Sequence, residues 1–453
     1  MRLAGTAALL LALAGCAAPS IPAIEPAAGV PLAPDYLAAS RPPSGIDDVW
    51  WSGFQSADLD QLVAQAIERN QSLEAARKRL LAARALVVAE ESDFYPDVDL
   101  QASLDGTLDD GGGLSDAAGL SLGGIWRLDL GGRLSAERAA ALAEAEGAAY
   151  FVADVRRLIA AGVVSQYIER KRTAARLSLL DQSADLQRQT LDVVTLRFEA
   201  GLSSNLDVRR AAADLARTLA QRGPLLLART RAANALSVLT GEPPTAIETM
   251  SEEDNVPRYV QGPDTGIPAD LLRRRPDLLI AEANVARAAA VVGIERADLA
   301  PSFALQGFLS GGTGAIQDLF SSALLTLGGA LGVPVLDGGR RRAEITAAER
   351  NLEGALADYR QTLLGSLAEV ENAFVAIEAA QDRLVELDRA VTESEAAFEQ
   401  SNALYREGLA TLFDVLDVQR QLISSREAVI DARSDLAQAY VDLFAALGAP
   451  TVA

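Results

Sequence analysis

The chain has 453 residues, with 62 acidic and 41 basic side chains for a formal net charge of -21, and no histidine. That balance argues against a nucleic-acid partner, for which a basic face is the expected footprint, and a metal site built on imidazole is impossible. Hydrophobic residues make up 49% but aromatics only 5%, which suits long alanine-rich helices better than a globular enzyme core.

Residues 1–15 read as an export signal. Arg2 precedes the apolar run LAGTAALLLALAG, about the length of a signal-peptide core and too short to span a bilayer. The run ends at Cys16, the sole cysteine, so no intrachain disulfide framework exists. Leu13-Ala14-Gly15-Cys16 resembles a bacterial lipobox, in which cleavage leaves the cysteine as an acylated N-terminus; the plain alternative is a signal peptide cut after a small residue. Ala17, where aspartate would be a retention signal, resembles lipoproteins sorted onward to the outer membrane. Residues 16–55 are then a lipid-anchored extended segment, rich in proline and alanine from 17 to 47.

From near Trp50 the chain writes one plan twice. DFYPDVDLQ from Asp93 meets DLAPSFALQ from Asp298, DLGGR from Asp129 meets LDGGR from Leu336, and FEAGLSSNLDV from Phe198 meets YREGLATLFDV from Tyr405. This is a tandem duplication, with a first repeat over 56–262 and a second over 263–453. Each repeat opens with a helix, 57–92 and 276–298, stopped before Pro96 and Pro301. Two strands follow in each, 97–108 with 119–130 and 302–310 with 323–335. Val98, Leu100, Ala102 and Leu104 alternate with Asp97, Asp99, Gln101 and Ser103, and the other three runs share the pattern. Next come very long helices, 136–199 and 343–407, the second with an apolar seam in steps of three, four or seven from Leu352 to Val391. A rod of some 64 residues reaches about 96 Å. Tips at 200–205 and 408–411 turn the chain into return helices, 206–240 and 411–447, and an equatorial linker closes the first repeat.

Alternation by itself fits a membrane barrel and a soluble antiparallel sheet equally well. Arithmetic bears on the choice. Four strands cannot close a barrel, since single-chain bacterial barrels start at about eight, and an open edge is not tolerated in lipid. If the strands cross a membrane, several chains must share one barrel, and three would supply twelve strands.

Four stretches resemble the TolC-type outer membrane efflux family, in its lipoprotein branch (OprM-like and NodT-like), across nearly the whole mature chain: VWWSGFQSADLDQLVAQAIERN from Val49, IPADLLRRRPDLLIAEANVARA from Ile267, VPVLDGGRRRAEI from Val333 and YREGLATLFDVLDVQRQL from Tyr405. The resemblance implies a mainly α fold with membrane β structure. Four strands per chain would build a trimeric twelve-stranded barrel, continued by an α-helical coiled-coil barrel. It implies an exit duct without catalytic activity or cofactor, passing drugs or other small solutes. A homotrimer in outer membrane lipid would dock its tips on a periplasmic adaptor (membrane fusion) protein. An inner-membrane pump, of resistance-nodulation-division type or within a type I export machine, would supply the energy.

By position, the resemblance places Gly201, Leu202 and Ser203, with Gly408, Leu409 and Thr411, on the adaptor-docking tips; Ser203 and Thr411 read equally well as plain helix-turn residues. Asp414 and Asp417 fall on the inward carboxylate constriction of the periplasmic gate. Their other reading is stabilisation of the helix dipole by acidic residues in its first turn. Ala410 stands where the family's founding member has a basic residue tied into that gate, so the closing network is expected to differ. A lipid-anchored coiled-coil tether without a pore is the competing reading. An enzyme is disfavoured, since GGGLSD lacks the strand and helix that a phosphate loop requires.

Overall fold

The structure is a computed structural model that describes residues 21–22, 24–26, 49–108, 114–244, 255–260, 274–314 and 323–448. Cys16 lies outside the described residues. After a single-turn helix at Trp50–Phe54 come α1 (Ala57–Arg69), α2 (Gln71–Ser92), β1 (Asp97–Leu108), β2 (Leu114–Leu128), α3 (Arg133–Glu199), α4 (Asn205–Ala220) and α5 (Arg222–Leu239). The second repeat gives α6 (Pro276–Ala297), β3 (Ser302–Gly314), β4 (Ala323–Gly332), α7 (Arg340–Arg406) and α8 (Leu412–Ala446).

Two expected helices are broken, each for a local reason. The span 57–92 divides at Asn70, whose backbone is extended. Its Oδ1 accepts from the Ser72 and Leu73 amides at 2.9 and 3.1 Å, capping α2, while its Nδ2 donates to the Leu239 carbonyl at 2.8 Å. The return helix 206–240 divides at Gln221, because Pro224 has no amide to donate and is accepted only in the first turn of a new helix. Strand β2 runs 114–128 instead of 119–130, since Asp129 turns away to cap α3. Its carboxylate accepts from the Leu134 and Ser135 amides at 3.0 and 2.9 Å. Strand β4 stops at Gly332, short of 335, where Pro334 cannot continue a ladder. Both rods begin three residues earlier than expected.

The four strands form one antiparallel sheet in the order β1-β2-β3-β4. Leu100 faces Leu122, Leu122 faces Leu309, and Leu309 faces Leu325 across the ladders, so one apolar row crosses the whole sheet. Gln101, Ser121 and Ser310 make the matching row on the other face, which Leu324 completes on β4. Ile125, Phe308 and Leu324 depart from that polar parity; the Phe308 ring lies over Gly123, where an added Cβ would come within 3.2 Å of it. Among the described residues the outer edges of β1 and β4 have no partner strand.

The chain divides into two compact units. One gathers Met1–Val30, Arg77–Phe151 and Asp277–Thr362, and so contains the sheet. Small residues make its close contacts, with Gly147 of α3 against the Ala283 methyl of α6 and the turn residue Gly131 against Ala297 and Ala300. Arg133 bridges Glu137 at 3.0 Å and also Asp298; Arg296 bridges Glu349 at 2.7 Å.

The other unit gathers Pro31–Ala76, Val152–Pro276 and Leu363–Ala453. Leu59, Val63, Leu73, Val163, Leu236, Leu363 and Leu443 are fully buried in it. Trp50 stacks on Phe444 with ring centres 5.1 Å apart, and Tyr259 stacks on Tyr440 at 4.7 Å. The C-terminal carbonyls of α8 are held by two guanidinium groups. Arg157 donates to the Ala445 carbonyl at 2.7 Å, and the buried Arg275 donates to the Ala446 carbonyl and to Glu369, both at 2.8 Å. Cations at this end suit the helix dipole. No helix among the described residues is long and apolar enough to cross a membrane.

Candidate functional site: the paired hairpin tips

Each rod ends in the same three-part device. At the end of α3 the Gly201 amide donates to the Phe198 carbonyl at 2.9 Å and the Leu202 amide to the Arg197 carbonyl at 2.7 Å. Gly408 and Leu409 repeat this with Tyr405 and Leu404 at 3.0 and 2.8 Å. This pair of bonds is the Schellman stop, which needs a left-handed residue, and Gly201 and Gly408 have φ of +73 and +78. The next helix then starts on a reciprocal cap. The Ser204 and Thr411 hydroxyls accept from the Asp207 and Asp414 amides, and those carboxylates accept back from the cap amides. A rod is thereby reversed with few backbone groups left unmet.

The leucine of the stop ordinarily folds back onto the helix it ends. Here Leu202 is 68% exposed and Leu409 is 76% exposed. Leu206 and Phe413, two places beyond each cap, are exposed as well. Each tip thus offers two apolar side chains that gain nothing from the chain's own burial. The second pair was not singled out from sequence, although an apolar residue early in a capped helix, beside polar turn residues, was there to be read.

Counting from the glycines, Thr411 corresponds to Ser204, the cap, and Ser203 corresponds to Ala410. Ser203 instead donates to the Val194 carbonyl at 3.2 Å, which ties the first tip back to its rod.

Asp414 and Asp417 share a helix face but not surroundings. Hydrogen bonds from the Thr411 hydroxyl at 2.6 Å and the Thr411 amide at 2.9 Å lower the Asp414 pKa below the usual carboxylate value. Asp417 points to solvent beside Arg420 at 3.3 Å. The first tip carries Arg210 where the second has Asp417, so only the second repeat presents this acidic pair.

Two further side chains lock one tip to the other. Tyr405 is buried among Val194, Leu412, Val415 and Leu416. The Arg197 guanidinium lies 4.8 Å from its ring centre and donates to its carbonyl at 3.2 Å. Burial pushes the Tyr405 phenol up, with Arg197 opposing and Asp207 adding to the shift. The phenolic oxygen and Arg197 Nε are buried with no hydrogen-bond partner. Sequence reasoning used Tyr405 only as the repeat of Phe198. Its role follows from a cation 208 positions away.

Nothing in this arrangement resembles a nucleophile with its base. It is two apolar contact points, a carboxylate pair and a latch. Models of protein families match the chain at residues 62–242 and again at 267–449, both times to the outer membrane efflux protein family. The chain belongs to that family. The double match falls on the two repeats. Among individual relatives, the chain is 32% identical to the pyoverdine export outer membrane protein OpmQ of Pseudomonas aeruginosa, over 91% of this chain and 90% of that protein. It is 30% identical to nodulation protein T of Rhizobium leguminosarum bv. viciae, over 89% and 85%. Among solved structures, the outer-membrane channel OprN matches with a TM-score of 0.86 and 30% identity, covering 94% of this chain and 98% of that one.

Proposed function

We propose that the chain is the outer membrane exit duct of a tripartite efflux or type I export system, passively conducting drugs or other small solutes to the exterior. The observation that carries this reading is the open sheet. Its apolar parity is exposed in the single chain, with Leu100, Leu104, Leu325 and Leu327 all facing out, and among the described residues both its edges are unpaired. A lipid-facing strand must have every backbone group bonded, which only closure with sister copies supplies. Three copies give a barrel of about twelve strands, within the range such barrels occupy, and the polar parity then lines water.

The tips are the adaptor-docking surface, through Leu202 and Leu409 with Leu206 and Phe413 beside them. Gly201 and Gly408 set the turn; Ser203, Ser204 and Thr411 hold it. A resistance-nodulation-division pump behind the adaptor supplies the energy. Asp417, with Asp414 at the helix start, forms the carboxylate ring of the periplasmic gate. The Arg197–Tyr405 latch replaces the basic residue missing at Ala410. Cys16 carries the lipid that tethers the chain to the outer membrane. The deciding experiment is the mass of the detergent-extracted particle together with its planar-bilayer conductance. A trimer that passes ions is expected; a lone water-soluble molecule passing none would leave only a lipid-anchored tether.

A further inference from the structure

Gly293 stands in the interior of α6, where glycine costs about 1 kcal/mol relative to alanine. The duplication provides an internal control. Matching Asp298 to Asp93 puts Val88 of α2 at the same place, so the repeated plan does not itself require glycine there. What differs is the neighbour. A Cβ on Gly293 would come within 3.1 Å of Ile21 Cγ1 and 3.3 Å of the Ala136 methyl on α3. The absent side chain therefore leaves a notch walled by Ala136, and Ile21, itself 38% exposed, sets its Cγ1 against it. All three residues belong to the same compact unit. Pro22 and Pro26 follow this contact on the chain. Proline fixes its own φ, lacks a donor and biases the preceding residue to extended backbone. Such a stretch can lie along a helix without leaving many amides unmet.

We propose that Gly293 and Ala136 form a seat for the N-terminal segment around Ile21, a strap that holds the start of the chain against the helices feeding the sheet. The consequence for the membrane rests on the reading of Cys16 as the acylated residue. Five residues from Ile21 back to Cys16 span at most about 18 Å. Four residues of α6 lead from Gly293 to Ala297, about 6 Å of helix, and β3 begins soon after at Ser302. A lipid on Cys16 is thereby confined near the rim of the sheet, instead of roaming on the whole stretch before Trp50.

The test uses the full chain and its Cys16→Ser variant. In a double Ile21→Cys, Gly293→Cys protein, Ile21 Cγ1 already sits where the far sulfur of a disulfide would, about 3 Å from the opposite Cβ. The bond is expected to form under mild oxidation with Cys16 present or replaced. Separately, Gly293→Leu should raise the maleimide labelling rate of an Ile24→Cys thiol tenfold or more, whereas Val88→Leu should leave it unchanged. No disulfide in the Cys16→Ser protein, or equal labelling with glycine and leucine at 293, overturns the seat. A disulfide there, with no fatty acid on Cys16 in the parent, supports the seat and rejects only the acylated anchor.

Discussion

Asp414 and Asp417 stand three positions apart, yet their surroundings ask different things of them. The Asp414 carboxylate is engaged by Thr411, and with its pKa below the ordinary value the cap contributes above about pH 4 and is lost only as pH falls further. Asp417 has one exposed partner in Arg420 and, on the proposed gate reading, is the group left to act on passing ions. Asp417→Asn is therefore expected to change single-channel conductance or weaken block by multivalent cations, while Asp414→Asn has a smaller effect on both and loosens the helix start. Equal effects in bilayer recordings would mean that both carboxylates face the path. Arg275 offers a test of a different kind. Its buried guanidinium serves a helix end and Glu369 together, so Arg275→Met should cost about 2–3 kcal/mol through the carbonyl and carboxylate it deserts. Denaturant unfolding in detergent measures the loss, and Arg275→Lys, with a single ammonium, should recover only part of it.

Strands, rods and turns each obey a rule that a short window reveals, which is why the fold class was legible before any coordinates. Alternation with period 2 marks Val98 to Leu104, steps of three and four mark Leu352 to Val391, and a glycine followed by leucine and a capping hydroxyl marks each tip. What stayed hidden depends on distant partners. The break at Asn70 is sealed by the Leu239 carbonyl, 169 positions on, and the Tyr405 latch needs Arg197. The early start of both rods is hard to read from sequence because aspartates placed before them, Asp129 and Asp337, supply caps that glycine-rich turns disguise. At this scale the sheet makes a sharp forecast. Leu327→Arg, on the apolar parity, should cost about 2–4 kcal/mol if that position lies mid-bilayer, whereas Gln101→Arg on the other parity should be tolerated. Insertion into liposomes, read as protease-resistant protein, separates the two; equal yields would place the apolar face away from lipid.

The duplication also predicts how whole molecules meet. Within the chain, Arg133 binds Glu137 and Asp298; its counterpart Arg340 binds Glu344 at 2.9 Å, and no second acidic partner is found for its side chain among the described residues. The counterpart of Asp298 is Asp93. If a ring of copies continues the internal arrangement, Arg340 of one copy meets Asp93 of the next. Reversing either charge alone should lower the trimer's melting temperature, and reversing both should restore it; an absence of rescue would show that neighbouring copies are not related as the two repeats are. The sheet's unpaired edges carry a genetic implication. If three sister copies close the wall as proposed, a copy with sound strands but ruined tips will still be recruited, and will spoil every assembly that accepts it. In a cell making both versions, the share of wholly sound assemblies falls with the cube of the sound fraction, so such an allele should act dominantly where a strand-defective one is merely silent.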